Sequence, residues 1–391
     1  MKHTKWMFAG LIALILLEIA KVYFIMPLPG SQKTNSLGLA YFLNDNLWWI
    51  RLVIIILLIG PIVHHFKSAK KWIKIVVGIL LLIYGVVYYA FHYEMLAEKM
   101  FIQPGVLKFA PAASDSNQQK LVIGVSVKNI ARAYPVEIIG YHHQVRDTLN
   151  GEHVMVTYCT VCRSGRVFSP VVNGKPENFR LVGMDHFNAM FEDETTKSWW
   201  QQATGKAIIG PMKGYQLVEI VSKQMRLSEW LSLYPSSEVM LQDQKFKAEY
   251  DSLKGYDENK KRRDTLSWQR KSWVIGISIN QQTRAYDWNE MEKILWVEDS
   301  IASTPLLVTM EANKKTHYVL FRQIDGKTLH FEMDMISGKL KDKETSSLWQ
   351  PNGIAVAGPM KGKQMSHIQS YQEYWHSWKQ FHPESDQFKS K

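Results

Sequence analysis

The chain has 391 residues, of which 46% are hydrophobic, and a formal net charge of +11. This length allows two or three domains with buried cores. The Lys and Arg residues are scattered, without a recognition helix, an aromatic ribonucleoprotein motif or a basic stripe, which argues against nucleic-acid binding. A basic surface beside an anionic membrane accounts for the charge better.

Three apolar stretches near the N-terminus predict transmembrane helices at about 6–26, 47–64 and 72–92. Each approaches the roughly 20 apolar residues that cross a bilayer, and Trp and Tyr residues lie near their ends. No A-x-A-like cleavage site follows the first stretch, so we interpret it as an anchor and not as a signal peptide. Residues 1–99 are therefore predicted to form a three-helix transmembrane anchor in the lipid bilayer.

The basic residues beside these stretches predict the orientation of the chain. Lys2 and Lys5 precede the first stretch, Lys67 and Lys70 lie between the second and third, and the first connection carries mainly Lys33. Because positive residues favour the cytoplasmic side, the N-terminus is predicted to be cytoplasmic. Three crossings then place the C-terminal region in the periplasm or outside the cell.

The region after the anchor contains an internal repeat. Three pairs of segments recur in the same order: Val122-Ile-Gly-Val-Ser and Val274-Ile-Gly-Ile-Ser, Asp193 to Gln201 and Asp342 to Gln350, and Gly210-Pro-Met-Lys-Gly and Gly358-Pro-Met-Lys-Gly. We predict copy one at 100–245 and a degenerate copy two, without Cys, at 272–391. The charged stretch 246–271 between them is interpreted as a linker.

Both copies are rich in short β-branched and aromatic segments, which predict strands. The predicted strands in copy one are Leu121–Val127, Val154–Tyr158, Arg166–Val172 and Phe179–Gly183, and the predicted helices are Leu227–Leu233 and, in copy two, Tyr371–Phe381. The predicted fold class is an N-terminal three-helix transmembrane bundle, followed by a β-rich (α+β) soluble region made of two tandem related lobes.

The repeat also separates scaffold from candidate chemistry. Asp193 and Asp342 recur in both copies and predict a turn role, while Arg132 and Arg284 predict a scaffold pair. The large aromatic residues, such as Trp349, are predicted to be buried. Features found in only one copy are the better candidates for function.

Cys159 and Cys162 are the only cysteines in the chain, and they lie in a Cys-x-x-Cys motif. Their repeat counterparts are Glu311 and Lys314, and His143 likewise has an apolar counterpart, so thiols and histidine are specific to copy one. Two sulfurs at this spacing can form and break a disulfide with little backbone movement.

The leading hypothesis is a thiol-disulfide oxidoreductase-like function with an extracytoplasmic redox partner protein and without a required cofactor. One of Cys159 and Cys162 attacks as the thiolate and the other resolves. His143 and Arg163 are predicted to lower the pKa of a thiol, with Asp147 fixing the histidine tautomer.

Two alternatives remain open. Cys159 and Cys162, completed by His143, His153 or His186, would suit a non-enzymatic zinc or copper site. A structural disulfide in an interaction scaffold is the other. A c-type haem is excluded because Arg163 stands where that motif needs His.

Copy one resembles an uncharacterised bacterial family called domain of unknown function 3179, mainly over about 120–235. The resemblance lies in His143 to Asp147, in Thr157-Tyr158-Cys159 with Cys162, and in Asp193 to Gln201. Some members have selenocysteine in the Cys-x-x-Cys motif, which implies redox reactivity. Members often have Pro between the cysteines, whereas this chain has Thr160.

Overall fold

The computed structural model describes residues 2–68, 70–256, 263–334 and 337–389. The helices are α1 Lys2–Tyr23, α2 Leu37–Ser68, α3 Lys71–Tyr89, α4 Ala97–Met100, α5 Val136–His142, α6 Leu227–Leu233, α7 Lys247–Leu253, α8 Trp288–Ile294 and α9 Trp375–Phe381. Single 3₁₀ turns cover Ser31–Lys33, Ala112–Ser114 and Gln244–Phe246, and the π-helical turn Ala90–Glu94 continues α3.

Many short strands follow the first helices. Up to residue 240 they are β1 Phe109–Pro111, β2 Leu121–Val127, β3 Ile130–Pro135, β4 Gln144–Leu149, β5 Glu152–Cys159, β6 Ser164–Phe168, β7 Val171–Val172, β8 Lys175–Pro176, β9 Phe179–Asp185, β10 Asn188–Asp193, β11 Trp199–Gln201, β12 Ala207–Ile209, β13 Ser222–Arg226 and β14 Glu238–Met240. The later strands are β15 Trp273–Ile279, β16 Gln282–Asp287, β17 Trp296–Ile301, β18 Thr304–Met310, β19 His317–Phe321, β20 Gln323–Ile324, β21 Lys327–Thr328, β22 Phe331–Met333, β23 Leu340–Asp342, β24 Leu348–Trp349, β25 Ala355–Ala357, β26 Tyr371–Tyr374 and β27 Asp386–Gln387.

Helices α1, α2 and α3 are each long and apolar enough to cross a membrane, as predicted. Helix α2 begins at Leu37 and not at about 47. The polar residues 44–46 lower the mean hydropathy of the first turns of α2, so these turns were not included in the predicted transmembrane stretch. Ala40, Leu43 and Leu47 are nevertheless buried at helical spacing, and they extend the packed face of α2.

One buried ion pair connects the three long helices. Arg51 of α2 donates from Nε and Nη2 to the two carboxylate oxygens of Glu18 in α1, at 2.8 and 3.0 Å. The guanidinium carbon of Arg51 lies 5.0 Å from the ring centroid of Tyr88 in α3. Since a buried charge is costly without a partner, this paired geometry fixes how the helices meet.

The chain divides into two compact units. The first contains the residues up to Gln103 together with Val172–Leu217, and the second contains Pro104–Val171 and Val218–Lys391. Strands β9 to β12 of copy one therefore belong to the same unit as the long helices. The predicted domain boundaries stay predictions, and residues 257–262 of the predicted charged linker lie outside the described residues.

In the first unit, a four-stranded sheet in the order β12-β11-β10-β9 contacts the segment after α1. The Met184 N–H in edge strand β9 donates to the Ile25 carbonyl at 2.7 Å. A Cβ atom at Gly183 would lie 2.2 Å from that carbonyl oxygen, so only glycine allows this approach. The segment after the first helix therefore closes this part of the sheet edge.

The second unit contains most of the remaining sheets. Its largest has the strand order β1-β14-β3-β2-β13, and β4, β5 and β6 form a separate three-stranded sheet. Similar groups recur later as β26-β15-β16-β27 and β17-β18-β19, and β22 to β25 form a four-stranded sheet. The protein is thus β-rich after its helices, as predicted.

The predicted local elements are partly confirmed. Strand β2 and helix α6 have the predicted bounds, but the predicted helix at Tyr371–Phe381 is wrong over its first four residues. Those residues form strand β26, in which Tyr374 pairs with Trp273 of β15. Pairing with a neighbouring strand outweighs the weak helical pattern there, and α9 starts at Trp375.

The Asp residues of the recurring motif have a turn role, which confirms the prediction. Each accepts hydrogen bonds from backbone N–H groups of the turn that follows it. Asp193 also accepts from the indole N–H of Trp200 at 2.9 Å, and Asp342 from that of Trp349 at 2.8 Å. Both indoles are buried, so the motif links a turn to the core.

Candidate functional site

The two cysteines lie at the turn of a β-hairpin in the second unit, Cys159 at the end of the first strand and Cys162 in the loop. Strands β5 and β6 pair with Cys159 opposite Ser164, and residues 160–163 connect them. Both cysteines are fully buried, whereas Val161 at the loop tip is 36% exposed. The sulfur atoms therefore lie inside the protein, directly behind a tip that reaches the surface.

Two contacts from distant parts of the chain hold the backbone of this loop. The Tyr256 hydroxyl donates to the Thr160 carbonyl, and the Tyr374 N–H donates to the Cys162 carbonyl at 3.0 Å. Loop residues 160 and 162 are fixed in this way, so exposing the sulfurs requires these bonds to break.

Arg163, the last residue of the loop, has a buried guanidinium. Arg163 is 1% exposed, and its guanidinium carbon lies 3.8 Å from the ring centroid of Trp273. Within the described part of the chain, its Nε and Nη1 atoms make no hydrogen bond. A buried cation with unused donors favours a nearby negative charge, and a thiolate of the adjacent pair is a suitable one.

His143 directly follows helix α5 and lies beside the strand that carries Cys159. Its ring is buried, and burial lowers its pKa to about 4, although the backbones of Gly140 and Tyr158 oppose this shift. The ring is therefore neutral at pH 7 and cannot act there as an imidazolium. A neutral ring can still orient its neighbours.

Copy two has Leu295 where copy one has His143, and the backbone is the same. The φ angles are 62° and 60°, and each carbonyl accepts an N–H from the facing strand, from Met310 and Tyr158 respectively. The backbone conformation therefore serves the scaffold. Only the imidazole is specific to the copy with the thiols.

Asp147 contacts other groups than the predicted histidine. Its Oδ2 atom accepts from Arg132 Nη1 at 2.8 Å and from the Tyr134 hydroxyl at 2.7 Å. The same arrangement joins Arg284, Tyr286 and Asp299. The triad recurs in both copies, which fits a scaffold role for the two arginines. Each arginine is half-buried, however, whereas a buried pair was expected.

The histidines proposed for a metal site have separate surroundings. His153 is exposed and pairs with Thr148, while His186 belongs to the first unit and pairs with Asp185 at 2.7 Å. Among the described residues, no group of three or more His, Cys, Asp and Glu side chains could hold a metal ion. The metal site therefore stays an untested alternative.

Sequence reasoning did not find the residues that enclose the hairpin. Tyr256 follows copy one, and Trp273 and Tyr374 belong to copy two. No motif distinguishes them, because they contact the loop through tertiary packing.

A family model described as "Protein of unknown function (DUF3179)" matches residues 102–385. The match extends over copy two as well as copy one, farther than the predicted resemblance at about 120–235. No curated protein and no solved structure matches the chain. Since the model covers more than half of the chain, including the Cys-x-x-Cys hairpin and the residues that enclose it, the chain belongs to the DUF3179 family.

Proposed function

We propose that this protein is a membrane-anchored, extracytoplasmic thiol-disulfide exchange protein that acts through Cys159 and Cys162. The observation that carries the proposal is the buried guanidinium of Arg163, the residue that directly follows Cys162; its Nε and Nη1 atoms make no hydrogen bond with the described residues. A positive charge in a desolvated position lowers the pKa of a neighbouring thiol and raises its thiolate fraction.

The reaction exchanges one disulfide for another. The thiolate of one cysteine attacks a disulfide of a partner protein, forms a mixed disulfide and releases one partner thiolate. The second cysteine loses its proton, attacks the mixed disulfide and releases the other partner thiolate. Cys159 and Cys162 are then oxidised to a disulfide, and the partner disulfide is reduced to a dithiol. The protons of both thiols pass to water, because the low pKa of His143, about 4, makes its ring a weak base.

Burial of both sulfurs means that exchange requires the hairpin to open. The exposed tip at Val161 and the two contacts on the loop backbone define the movement, since releasing Tyr256 and Tyr374 frees the loop. This arrangement supports a thiol pair that reacts with a docked partner and is protected from bulk oxidants.

The membrane location is part of the proposal. Three helices suit an anchor, and the lysine distribution favours an outer location for the hairpin, in a compartment that tolerates disulfides. The recurring order of strands supports two related lobes, of which copy one carries the chemistry and copy two helps to enclose it.

The first experiment is the equilibrium reduction potential of the Cys159–Cys162 pair in the full-length protein in detergent. Glutathione or dithiothreitol buffers set the potential, and thiol trapping followed by mass measurement gives the oxidised fraction. A midpoint between about −120 and −270 mV is expected for an exchange protein. Cys159→Ser and Cys162→Ser should each abolish exchange without unfolding the protein.

Two outcomes would contradict the proposal. A midpoint below about −300 mV would indicate a structural disulfide in an interaction scaffold. Thiols that stay unreactive until a chelator is added would favour the zinc or copper alternative.

A further inference from the structure

A small cavity in the second unit is lined by basic side chains. Its lining includes Lys223 of β13, His317 of β19, and His367 and Ser370, which precede β26. The cavity volume is about 10 Å³. That space holds roughly one water molecule or one small ion.

The donors in this cavity lack a negative partner. The Lys223 ammonium makes no hydrogen bond or ion pair within the part of the chain that the structure describes, and the same holds for His317 Nδ1. His317 is 6% exposed, so this ring nitrogen is an unsatisfied buried group. Native proteins satisfy almost all such groups with protein atoms, water or an ion.

The remaining contacts leave ring N–H groups available. His317 Nε2 lies 3.1 Å from the Ser370 hydroxyl, and His367 Nε2 lies 3.5 Å from the Gln364 amide nitrogen. If these groups donate to Nε2, each imidazole keeps its proton on Nδ1 and can donate it. The cavity then presents one ammonium and two N–H donors.

The repeat contains a second position that is equivalent to this cavity by strand register, and there the buried positive charge is neutralised by acidic side chains. Lys223 faces Gly124 as Tyr371 faces Gly276, and His367 bridges Leu320 as Glu219 bridges Phe168. Lys223 and His367 therefore correspond to Tyr371 and Glu219. The carboxylate of Glu219 accepts from the Tyr371 hydroxyl at 2.7 Å, whereas Lys223 and His367 are both basic.

The balanced position is also completed by a buried ion pair. Arg166 donates to Glu373 at 2.6 Å, with side chains 2% and 1% exposed. Their register equivalents beside the cavity are Tyr318 and Met225. Two carboxylates therefore serve one position, whereas the other has Lys223, two histidines and no carboxylate among its lining residues.

We propose that this cavity binds a small inorganic anion of about the size of chloride, held by the Lys223 ammonium and by the ring N–H groups of His317 and His367. The anion takes the part that Glu219 and Glu373 play at the equivalent position. This binding site is separate from the proposed thiol reaction and does not depend on it.

The charges around the cavity agree with this assignment. Burial lowers the pKa of Lys223 to about 7, and no acid opposes that shift. His317 is faced by Lys223 and Arg163, and His367 by Lys223, while burial holds the pKa of each ring at about 3. A bound anion would favour protonated Lys223, so binding should be tighter at pH 6 than at pH 8.

The test uses the full-length protein in detergent, purified in sodium gluconate, whose anion is too large for the cavity. Chloride is the probe, and broadening of the ³⁵Cl nuclear magnetic resonance line at constant ionic strength measures its binding. We expect saturable broadening in the natural protein and at least a tenfold loss of affinity in Lys223→Met. Lys379→Met, which removes a lysine on α9 outside the cavity lining, is the matched control and should bind as the natural protein does.

A second variant keeps the test informative if Lys223→Met fails to fold. His367→Glu places the equivalent carboxylate of Glu219 beside Lys223 and should abolish chloride binding without destabilising the protein. Absence of saturable broadening in the natural protein, or affinity unchanged in both variants, would overturn the proposal. Binding of inorganic phosphate without chloride would overturn the assignment to a chloride-sized anion.

Discussion

At the residue scale, Arg163 is the side chain on which the proposed chemistry depends most. Arg163→Gln removes the buried charge beside the thiols and should raise the pKa of the reactive thiol by about one unit or more. The pH dependence of the rate of thiol alkylation measures this shift.

Arg263→Gln is the control for the stacking contact. Arg263 also lies over the Trp273 ring, with its guanidinium carbon 4.6 Å from the centroid, but it is paired with Glu292 at 3.0 Å. Its loss should leave the thiol pKa unchanged. An equal shift in both variants would show that packing on Trp273, and not the Arg163 charge, determines thiol reactivity.

His143 gives a second prediction at this scale, which concerns stability at acid pH. Burial lowers its pKa from 6.5 to about 4, so the unfolded chain binds the proton first as the pH falls. The stabilising contribution is complete above pH 6.5 and is lost between about pH 6.5 and 4, by roughly 3 kcal/mol.

His143→Leu copies the residue at the equivalent position in copy two, and should therefore keep the backbone. Denaturant unfolding at pH 7 and pH 5 should show a smaller acid loss of the unfolding free energy in this variant than in the natural protein. His153→Leu, at an exposed site, should retain the full loss. A loss as large in His143→Leu as in the natural protein would contradict the prediction.

At the element scale, the hairpin between β5 and β6 is the mobile part that the proposal requires. Tyr256→Phe removes the hydroxyl that holds the Thr160 carbonyl, which should favour opening by about 1 kcal/mol, or roughly fivefold. The rate at which a maleimide traps the thiols should rise by that factor.

Tyr250→Phe is the matched control for this element. Tyr250 lies in the same segment after copy one, but its hydroxyl pairs with His142 Nε2 at 2.7 Å and not with the loop. Its trapping rate should remain that of the natural protein. Equal acceleration in both variants would mean that general loosening, and not release of the loop, exposes the sulfurs.

The same elements show how far the sequence could predict the structure. Leu121–Val127 and Leu227–Leu233 were predictable because β-branched composition and helical periodicity are local signals. Tyr371–Tyr374 was not, since its strand exists only by pairing with β15, about a hundred residues earlier. The cysteines could be identified as the candidate site because copy two lacks them. Their enclosure could not be predicted, because it depends on long-range packing that leaves no pattern in the sequence.

At the scale of the whole molecule, the orientation in the membrane can be tested directly. In a background with Cys159→Ser and Cys162→Ser, Ser36→Cys marks the connection before α2 and Ser68→Cys marks the end of α2. A membrane-impermeant maleimide added to intact cells should label the first site and not the second, because positive residues favour the inside. The reverse pattern would place the hairpin in the cytoplasm and contradict the proposed location.

The contact between Ile25 and strand β9 has a consequence for how this protein can be divided. A fragment that begins after the helices would lose the carbonyl that pairs with Met184 and the Gln32 side chain that accepts from the Phe187 N–H at 3.2 Å. Its uncovered strand would then be a template for pairing between copies, so such fragments should self-associate. The N-terminal helices are thus not interchangeable with an unrelated membrane helix: a chimera that joins the C-terminal region to another helix would also need the Ile25–Gln32 segment.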